Sequence, residues 1–204
     1  MMKIRRINNE LEINQEEDTV LVLGYFDGLH KGHQTLFKEA RKIASEQGLK
    51  IAVLTFPESP KLAFVRYQPE LMLHLNHPEE RAAHLENLGV DYLYLIDFTS
   101  HFSKNTAQEF FDKYVAALKA KAVVAGFDYH FGSDKRKAEE LADYFGGQIV
   151  IVSSVNQDEE KISSTRIRET IQNGDVAKAH QLLGYPLSTR GIVVHGNARG
   201  RTIG

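Results

Sequence analysis

The sequence alternates between short apolar runs and longer segments of helical periodicity, and this alternation limits the folds that are open to it. The apolar runs are Thr19–Leu23, Lys50–Phe56, Tyr92–Ile96, Ala122–Ala125 and Gln148–Val152. Runs that are apolar throughout are typical of strands buried on both faces, and strands joined by helices form parallel sheets. We therefore expect an α/β fold, with a doubly wound sheet of five parallel strands and helices on both faces.

The connections that follow four of these runs carry the polar and glycine-rich stretches of the chain. They come after the first, second, fourth and fifth runs. In a doubly wound sheet, ligands bind outside the carboxyl ends of the strands. The sequence therefore predicts a single cleft lined by four loops.

The loop after the first run carries the clearest chemical signal. It reads Gly24-Tyr25-Phe26-Asp27-Gly28-Leu29-His30-Lys31-Gly32-His33 and precedes a helical pattern over Gln34–Gln47. Glycines let the backbone approach a ligand, and a helix that starts here directs its free N–H groups at an anion such as phosphate. His30 and His33 add two imidazoles. Neither a P-loop nor a GxGxxG fingerprint is present, which argues against an NTPase or a dehydrogenase and favours nucleotidyl transfer.

Two plainer interpretations of this loop are less favoured. Asp27, His30 and His33 could ligate a metal ion, but no fourth ligand accompanies them at this spacing. The histidines could instead only cap the turn, yet a glycine-flanked pair at a helix start is the open, polar arrangement that a phosphate site needs. We therefore expect no dedicated metal site.

The loop resembles the HxGH signature of the nucleotidylyltransferase superfamily, and Lys161–Arg168 (KISSTRIR) is similar to that superfamily's ISSTxIR motif. The resemblance implies a Rossmann-like fold in which His30, His33 and Arg168 are catalytic and stabilise charge while an α-phosphorus is attacked. It also implies an ATP-binding set: Gly24, Phe26, Asp27, Gly28, Gly32, Ser163, Ser164 and Thr165. A plain N-cap is the alternative for the hydroxyl residues, and we expect Arg166 to be solvated.

The superfamily motifs leave open whether the acceptor is pantetheine phosphate, nicotinate mononucleotide or FMN. Two further stretches, Gly126–Gly132 (GFDYHFG) and Thr55–Pro60 (TFPESP), resemble segments of bacterial FAD synthetases. They imply transfer of AMP from ATP to FMN, giving FAD and pyrophosphate. They also imply a flavin-binding set: Phe56, Pro57, Asp128 and Phe131. Glu58, Ser59 and Lys137 depart from that family's pattern, and we expect them to lie beside the flavin and affect its affinity.

The last residues, Gly191–Gly204, resemble the opening strand and loop of the riboflavin kinase module that is fused to these synthetases. The resemblance implies an FMN adenylyltransferase domain over residues 1–184 and the start of a β-barrel kinase domain over residues 185–204. The later kinase motifs would follow Gly204, so we do not expect these 204 residues to phosphorylate riboflavin. Two alternatives stay open: an adenylyltransferase for another mononucleotide, and a non-catalytic flavin nucleotide-binding protein.

The implied substrates are ATP and FMN, with Mg²⁺ held mainly by phosphate oxygens and water. Because the net charge is only −2 and no basic block is present, we expect neither nucleic acid nor a membrane surface as a partner. The absence of cysteine excludes a thiolate nucleophile and a zinc–thiolate site. The first residues lack an apolar signal core, and we expect a cytoplasmic location. The sequence does not indicate an oligomeric state.

Several local expectations concern the rest of the chain. Met1–Asp18 is polar, and no strand is assigned to it. Glu58–Asn76 is predicted to be a long loop over the edge of the sheet. Ser133 is predicted to cap a helix that runs to about Phe145. The histidines without a motif around them are expected at the surface: His74, His77 and His180.

Overall fold

The computed structural model describes residues 1–63 and 72–192. Its centre is a six-stranded sheet in which every pair of neighbouring strands is parallel. The strands are β1 (Lys3–Ile7), β2 (Thr19–Leu23), β3 (Lys50–Thr55), β4 (Tyr92–Ile96), β5 (Ala120–Gly126) and β8 (Gln148–Val152). They lie in the order β1-β4-β3-β2-β5-β8. The chain progresses in one direction from β2 to β4 and in the other from β5 to β8, so a crevice opens at the carboxyl ends of β2 and β5.

Helices and two short hairpins complete the described part of the fold. The helices are α1 (Lys31–Gln47), α2 (Pro78–Asn87), α3 (Ser100–Ser103), α4 (Ala107–Phe110), α5 (Ser164–Gln172) and α6 (Val176–Leu183). A π-helical turn continues α4 over Phe111–Val115, and 3₁₀ turns cover Glu10–Glu12, Pro60–Ala63 and Ala138–Asp143. The antiparallel hairpins pair β6 (His130–Phe131) with β7 (Arg136–Lys137) and β9 (Asn156–Gln157) with β10 (Glu160–Lys161).

Alternate residues of the central strands pack into two hydrophobic layers, one on each face of the sheet. On one face Leu21 lies in a layer with Phe110 and Tyr114, which come from α4 and the π-helical turn. On the other face Val20 lies in a layer with Phe37 of α1. Successive side chains of a strand point to opposite faces, so a strand that is apolar throughout needs cover on both sides. The predicted doubly wound α/β arrangement is confirmed.

The number of strands was underestimated, because the sheet has six strands and the sequence indicated five. The additional strand is β1, which lies at the edge of the sheet and pairs in parallel with β4, from Lys3 opposite Tyr92 to Ile7 opposite Ile96. Only Ile7 of β1 is buried. An edge strand with one solvated side tolerates Lys and Arg, so it lacks the continuous apolar run that marks a central strand.

The predicted helix from Ser133 to about Phe145 is wrong. The β6–β7 hairpin and the 3₁₀ turn Ala138–Asp143 occupy this stretch. Gly132 and Lys135 have positive φ angles of 73° and 53°, which a helix does not allow. A Cβ at Gly132 would come within 2.5 Å of the backbone nitrogen of Ala107, so the reversal is enforced by close packing against α4.

Two predictions fall partly or wholly outside the described residues. Of the predicted loop Glu58–Asn76, the structure describes the 3₁₀ turn Pro60–Ala63 and the segment from residue 72, while residues 64–71 are outside it. The predicted first strand of a kinase module falls mainly in residues 193–204, which are also outside, and the domain division stays a prediction. Within the described residues, no helix has the length and apolar content needed to cross a bilayer.

Candidate active site

The two histidines of the HxGH turn form a stacked pair at the start of α1. His30 is the N-cap, and its Nδ1 accepts a hydrogen bond from the backbone N–H of His33 at 3.3 Å. The two rings stack with a centroid separation of 3.7 Å and an angle of 15° between their planes. Because Nδ1 of His30 is an acceptor, its proton in the neutral ring lies on Nε2, which leaves that atom as a donor. The hydrogen bond and the stacking therefore fix the two rings relative to each other.

Burial keeps both rings of this pair neutral. It lowers the pKa of His30, which is only 5% exposed, from the usual 6.5 to about 4. Burial also sets the pKa of His33 well below 6.5, and the neighbouring His30 and Lys161 lower it further. Among the described residues, Nδ1 of His33 has no hydrogen-bond partner. Near pH 7 the histidines are therefore uncharged hydrogen-bond donors to an anion.

The backbone of the turn adopts conformations that only some residues tolerate. Gly28 has a φ of 79°, and Phe26 and Leu29 also have positive φ angles, of 59° and 36°. Non-glycine residues in this region carry backbone strain, which often accompanies functional sites. A Cβ at Gly28 would come within 2.6 Å of Leu75, and one at Gly24 would come within 2.6 Å of the Phe26 ring. Gly28 is thus required by both space and conformation, whereas Gly24 is required by space alone.

The second motif begins α5 beside the same turn. Ser163 is the N-cap of α5, and its side chain accepts from the N–H of Arg166 at 3.2 Å. Ser164 donates its hydroxyl to the backbone oxygen of Asp27 at 2.7 Å. Thr165 is exposed on the wall of the cavity described below. Ser163 therefore has the capping role that was the alternative for it, while the start of α5 faces the HxGH turn as predicted.

An ion pair between the partly exposed Arg168 and the buried Asp27 joins the two motifs. Arg168 donates through Nη2 to Asp27, whose side chain is 3% exposed, and through Nε to the backbone oxygen of Leu73 at 2.8 Å. The other carboxylate oxygen of Asp27 accepts from the backbone N–H of Leu75 at 2.9 Å. Asp27 therefore orients Arg168, the predicted catalytic cation, and its own oxygens are occupied by these donors.

Aromatic rings from separate parts of the chain form the far end of the site. Phe56, after β3, packs edge-to-face on Phe98 and Phe102 at centroid distances of 5.2 and 5.5 Å. Tyr129 and Phe131, after β5, stack with their centroids 6.3 Å apart. Such apolar, planar surfaces suit a flat aromatic ligand.

One cavity of about 880 Å³ connects the polar and aromatic ends. Its lining residues come from five connections: the HxGH turn, the loop after β3, the connection after β4 with Phe98 and Phe102, the β5–β6 region, and the segment from the end of β8 to α5. Of the predicted site residues, Gly28 and Pro57 do not line the cavity. The others do: Gly24, Phe26, Asp27, His30, Gly32, His33, Phe56, Asp128, Phe131, Ser163, Ser164, Thr165 and Arg168. The four predicted loops converge on this cavity, but the prediction missed the connection after β4, which lines it as well.

Pro57 and the three residues that depart from the family's pattern, Glu58, Ser59 and Lys137, differ in whether they line this cavity. Pro57 and Glu58 line a smaller neighbouring hollow of about 320 Å³, and Ser59 lines both spaces. Lys137 is exposed on β7 and is not among the described residues that line the large cavity. Of the three departures, Ser59 is therefore the one with direct access to it.

Sequence reasoning missed two basic residues of the site. Lys161 lines the cavity, pairs with Asp128 and lies 4.6 Å from the centroid of the Phe127 ring. Arg81 is buried in α2 and donates to the backbone oxygen of Phe56 at 3.0 Å. Lys161 could have been found as the first residue of the KISSTRIR motif, whereas nothing in the sequence around Arg81 indicates its role.

Two expectations about surface exposure are wrong. Arg166 was expected to be solvated, but its side chain is 12% exposed and donates to the backbone oxygens of Gln157 and Glu160 at 2.9 and 3.0 Å. It therefore holds the β9–β10 hairpin against α5. His74 was expected at the surface, but its ring bonds to Tyr25 of the HxGH turn at 3.0 Å. The contact between Tyr25 and His74 joins segments that are distant in the sequence, and Arg166 contacts a hairpin that folds back onto α5. Local composition could not reveal either contact.

No group of three or more His, Cys, Asp or Glu side chains suited to a metal ion occurs in the described ranges. Asp27, the carboxylate nearest the histidine pair in sequence, is already engaged by Arg168 and Leu75.

Fold and site together define the class of protein. A parallel α/β sheet bears an HxGH turn and a second helix start, and both face one cavity at the carboxyl ends of the strands. This is the arrangement of a Rossmann-like nucleotidyltransferase.

Comparison with known proteins identifies the family. The family model described as FAD synthetase matches residues 12–166, and the chain belongs to this family. A bifunctional riboflavin kinase/FMN adenylyltransferase from Listeria monocytogenes is 44% identical over 91% of this chain and 60% of its own length. The protein of the same description from Bacillus subtilis is 38% identical over all of this chain and 66% of its own length. The chain thus spans 60–66% of the length of these two relatives.

A solved structure shares the whole described architecture. It is described as a macrolide-efflux protein from Streptococcus pneumoniae, and it is 53% identical to this chain. The two superimpose with a TM-score of 0.93 over 97% of this chain and 66% of the other. The similarity confirms the fold independently of the family assignment.

Proposed function

We propose that this chain transfers AMP from ATP to FMN, giving FAD and pyrophosphate. The observation that carries the proposal is the single cavity that joins a phosphate-binding end to an aromatic end. In the reaction, an oxygen of the FMN phosphate attacks the α-phosphorus of ATP. A new P–O bond forms, and the bond from the α-phosphorus to the bridging oxygen of the β-phosphate breaks. The electron pair of that bond leaves with pyrophosphate.

The polar end is suited to stabilise this transfer by position and charge. The phosphate of FMN is already an anionic nucleophile, so the step needs no general base. Nε2–H of His30 and the ring of His33 would donate to phosphate oxygens as negative charge shifts towards the leaving group. Arg168, held by Asp27, would supply a fixed positive charge, and the N–H groups at the starts of α1 and α5 would bind further oxygens.

Mg²⁺ fits this site only as an ion carried by the substrate. The described residues provide no cluster of ligands for it, whereas the phosphates of ATP offer the oxygen ligands that Mg²⁺ prefers. When bound, it would neutralise charge on those phosphates. We assign no protein residue as its ligand.

The aromatic end would bind the isoalloxazine ring. Phe56 and Phe131 line the cavity with apolar faces, and Asp128 with its partner Lys161 supplies polar atoms between the two ends. Pro57 would support Phe56 from the neighbouring hollow instead of touching the flavin. These roles supply a reason why a flavin mononucleotide, and not an aliphatic phosphate, is the acceptor.

The remaining parts of the proposal concern the domains, the location and the partners. Residues 1–184 would form the adenylyltransferase domain, and residues 185–204 would begin a kinase domain. ATP and FMN are small nucleotides of the cytoplasm, where we place the protein, with neither nucleic acid nor a membrane as a partner.

The proposal is tested by resolving the flavins after incubation of the 204-residue chain with ATP and Mg²⁺. FMN should be converted to FAD with release of pyrophosphate, while riboflavin should stay unchanged. Turnover of nicotinate mononucleotide without turnover of FMN would favour another acceptor. Binding of FMN without any turnover would favour a nucleotide-binding protein.

A further inference from the structure

A chain of hydrogen bonds links Tyr25 in the HxGH turn to Glu58 in the loop after β3. The hydroxyl of Tyr25 lies 3.0 Å from Nδ1 of His74, and Nε2 of His74 lies 2.9 Å from a carboxylate oxygen of Glu58. If Tyr25 donates to Nδ1, the neutral ring carries its proton on Nε2 and donates it to Glu58. Both ring nitrogens of His74 are then satisfied, and the ring is fixed between two segments.

His74 lies within a short segment that supports the phosphate end of the cavity. The backbone oxygen of Leu73 accepts from Arg168 at 2.8 Å, and the backbone N–H of Leu75 donates to Asp27 at 2.9 Å. The residues on either side of His74 therefore hold both partners of the ion pair that joins the two motifs. A shift of His74 would move the backbone groups that orient Arg168.

The other end of the chain of hydrogen bonds lies at the aromatic end of the cavity. Glu58 follows Phe56 and Pro57, whose backbone oxygens accept from the buried Arg81 at 3.0 and 3.4 Å. The side chain of Glu58 is 55% exposed, so it contributes little to packing in the core. The bond to His74 therefore connects this loop to the segment that orients Arg168, whereas Arg81 connects it to the backbone oxygen of Tyr25 at 3.5 Å.

We propose that His74 is a positioning residue that couples the loop after β3 to the Asp27–Arg168 pair. The inference rests on the proposed function in one respect, because it takes ATP phosphate as the ligand of Arg168. Hydrogen bonds at both ring nitrogens hold the segment around His74 in one position, and that position sets the direction of the guanidinium. Glu58 thereby affects ATP binding although it does not line the ATP end of the cavity.

The test measures the affinity for ATP with Mg²⁺, without any flavin, by isothermal titration calorimetry on the 204-residue chain. We expect Glu58→Ala and His74→Ala each to weaken ATP binding about fivefold. The double variant should bind no more weakly than His74→Ala, because both changes break the same connection. Glu58→Gln should retain the wild-type affinity, since its amide oxygen can still accept from Nε2. His77→Ala is the matched control and should bind as the wild type does.

Tyr25→Phe gives a second route to the same connection, because it removes only the hydroxyl that His74 binds. It should reproduce the loss seen with His74→Ala while its thermal unfolding stays close to that of the wild type. Unchanged ATP affinity in Glu58→Ala, or additive losses in the double variant, would overturn the inference. Failure of the wild-type chain to make FAD while it still binds ATP would instead count against the proposed function alone.

Discussion

The two ends of the cavity are built in different ways. The phosphate end consists of two short motifs, each at a helix start, tied together by the ion pair Asp27–Arg168. The aromatic end consists of rings such as Phe56, Phe98 and Phe131, which come from three separate connections and touch only by packing. Hydrogen bonds and charge define the first end, whereas shape and apolar surface define the second. Substitutions at the two ends should therefore fail in different ways.

The largest effect is expected for catalysis when a donor is removed from the phosphate end. His33→Ala should reduce kcat for FAD formation by the equivalent of about 2–4 kcal/mol of transition-state stabilisation. The KM for FMN should change little, because His33 lies at the opposite end. Steady-state kinetics of FAD formation measure both constants. His180→Ala, on the exposed side of α6, is the control, and a normal kcat in His33→Ala would remove the proposed role.

A second change tests whether the phosphate end depends on its internal ion pair. Asp27→Asn should lower the free energy of unfolding by about 3 kcal/mol, because it leaves the Arg168 charge without its buried partner. Urea unfolding followed by circular dichroism measures the difference. The amide oxygen of Asn can still accept from Leu75, so the loss reports the charge and not the backbone contact. A variant as stable as the wild type would show that the two motifs are held together by other contacts.

The buried histidine predicts how stability depends on pH. The pKa of His30 is about 4 in the folded protein and about 6.5 when it is unfolded, so the unfolded chain binds more protons between these values. The free energy of unfolding should therefore be fully retained above pH 6.5 and fall by about 3 kcal/mol as the pH is lowered to 4. His33 acts in the same direction.

The control for this pH dependence keeps the helix cap. His30→Asn retains a side chain suited to the N-cap position of α1 but removes the titrating group. Urea unfolding at several pH values should show a shallower dependence in this variant. An equal dependence in both proteins would assign the effect to other groups.

The smallest effect is expected at the aromatic end. Phe56→Leu should raise the KM for FMN by the equivalent of about 1 kcal/mol, because an aliphatic side chain keeps most of the apolar area but loses ring stacking. The KM for ATP should stay the same. Phe145→Leu, which is not among the described residues lining the cavity, is the matched control. Equal changes in both KM values would contradict the division of the cavity into two ends.

The difference between the ends also explains which parts of the site could be predicted. The turn after β2 and the helix starts of α1 and α5 could be predicted, because glycines, caps and helical periodicity act over a few neighbouring positions. The roles of individual residues there follow from the resemblance and stay predictions. Arg81 and His74 were missed because their partners are distant in sequence and no pattern surrounds them, whereas Lys161 was overlooked although it opens the KISSTRIR motif. The hairpin after Phe131 was mistaken for a helix, since the close approach of Gly132 to Ala107 of α4 exists only in the folded chain.

The sequence by itself determined the parallel α/β sheet, the bounds of strands such as Tyr92–Ile96 and Gln148–Val152, and the edge at which the motifs meet. The spacing of apolar residues and the residues that form turns are local properties of the sequence. A parallel sheet then leaves few ways to connect the strands and helices that they predict. Only the tertiary structure decided that β1 completes the sheet and that Asp27 pairs with Arg168, 141 residues away. An edge strand needs no apolar run, and this ion pair forms only where folding brings a distant arginine to a buried carboxylate.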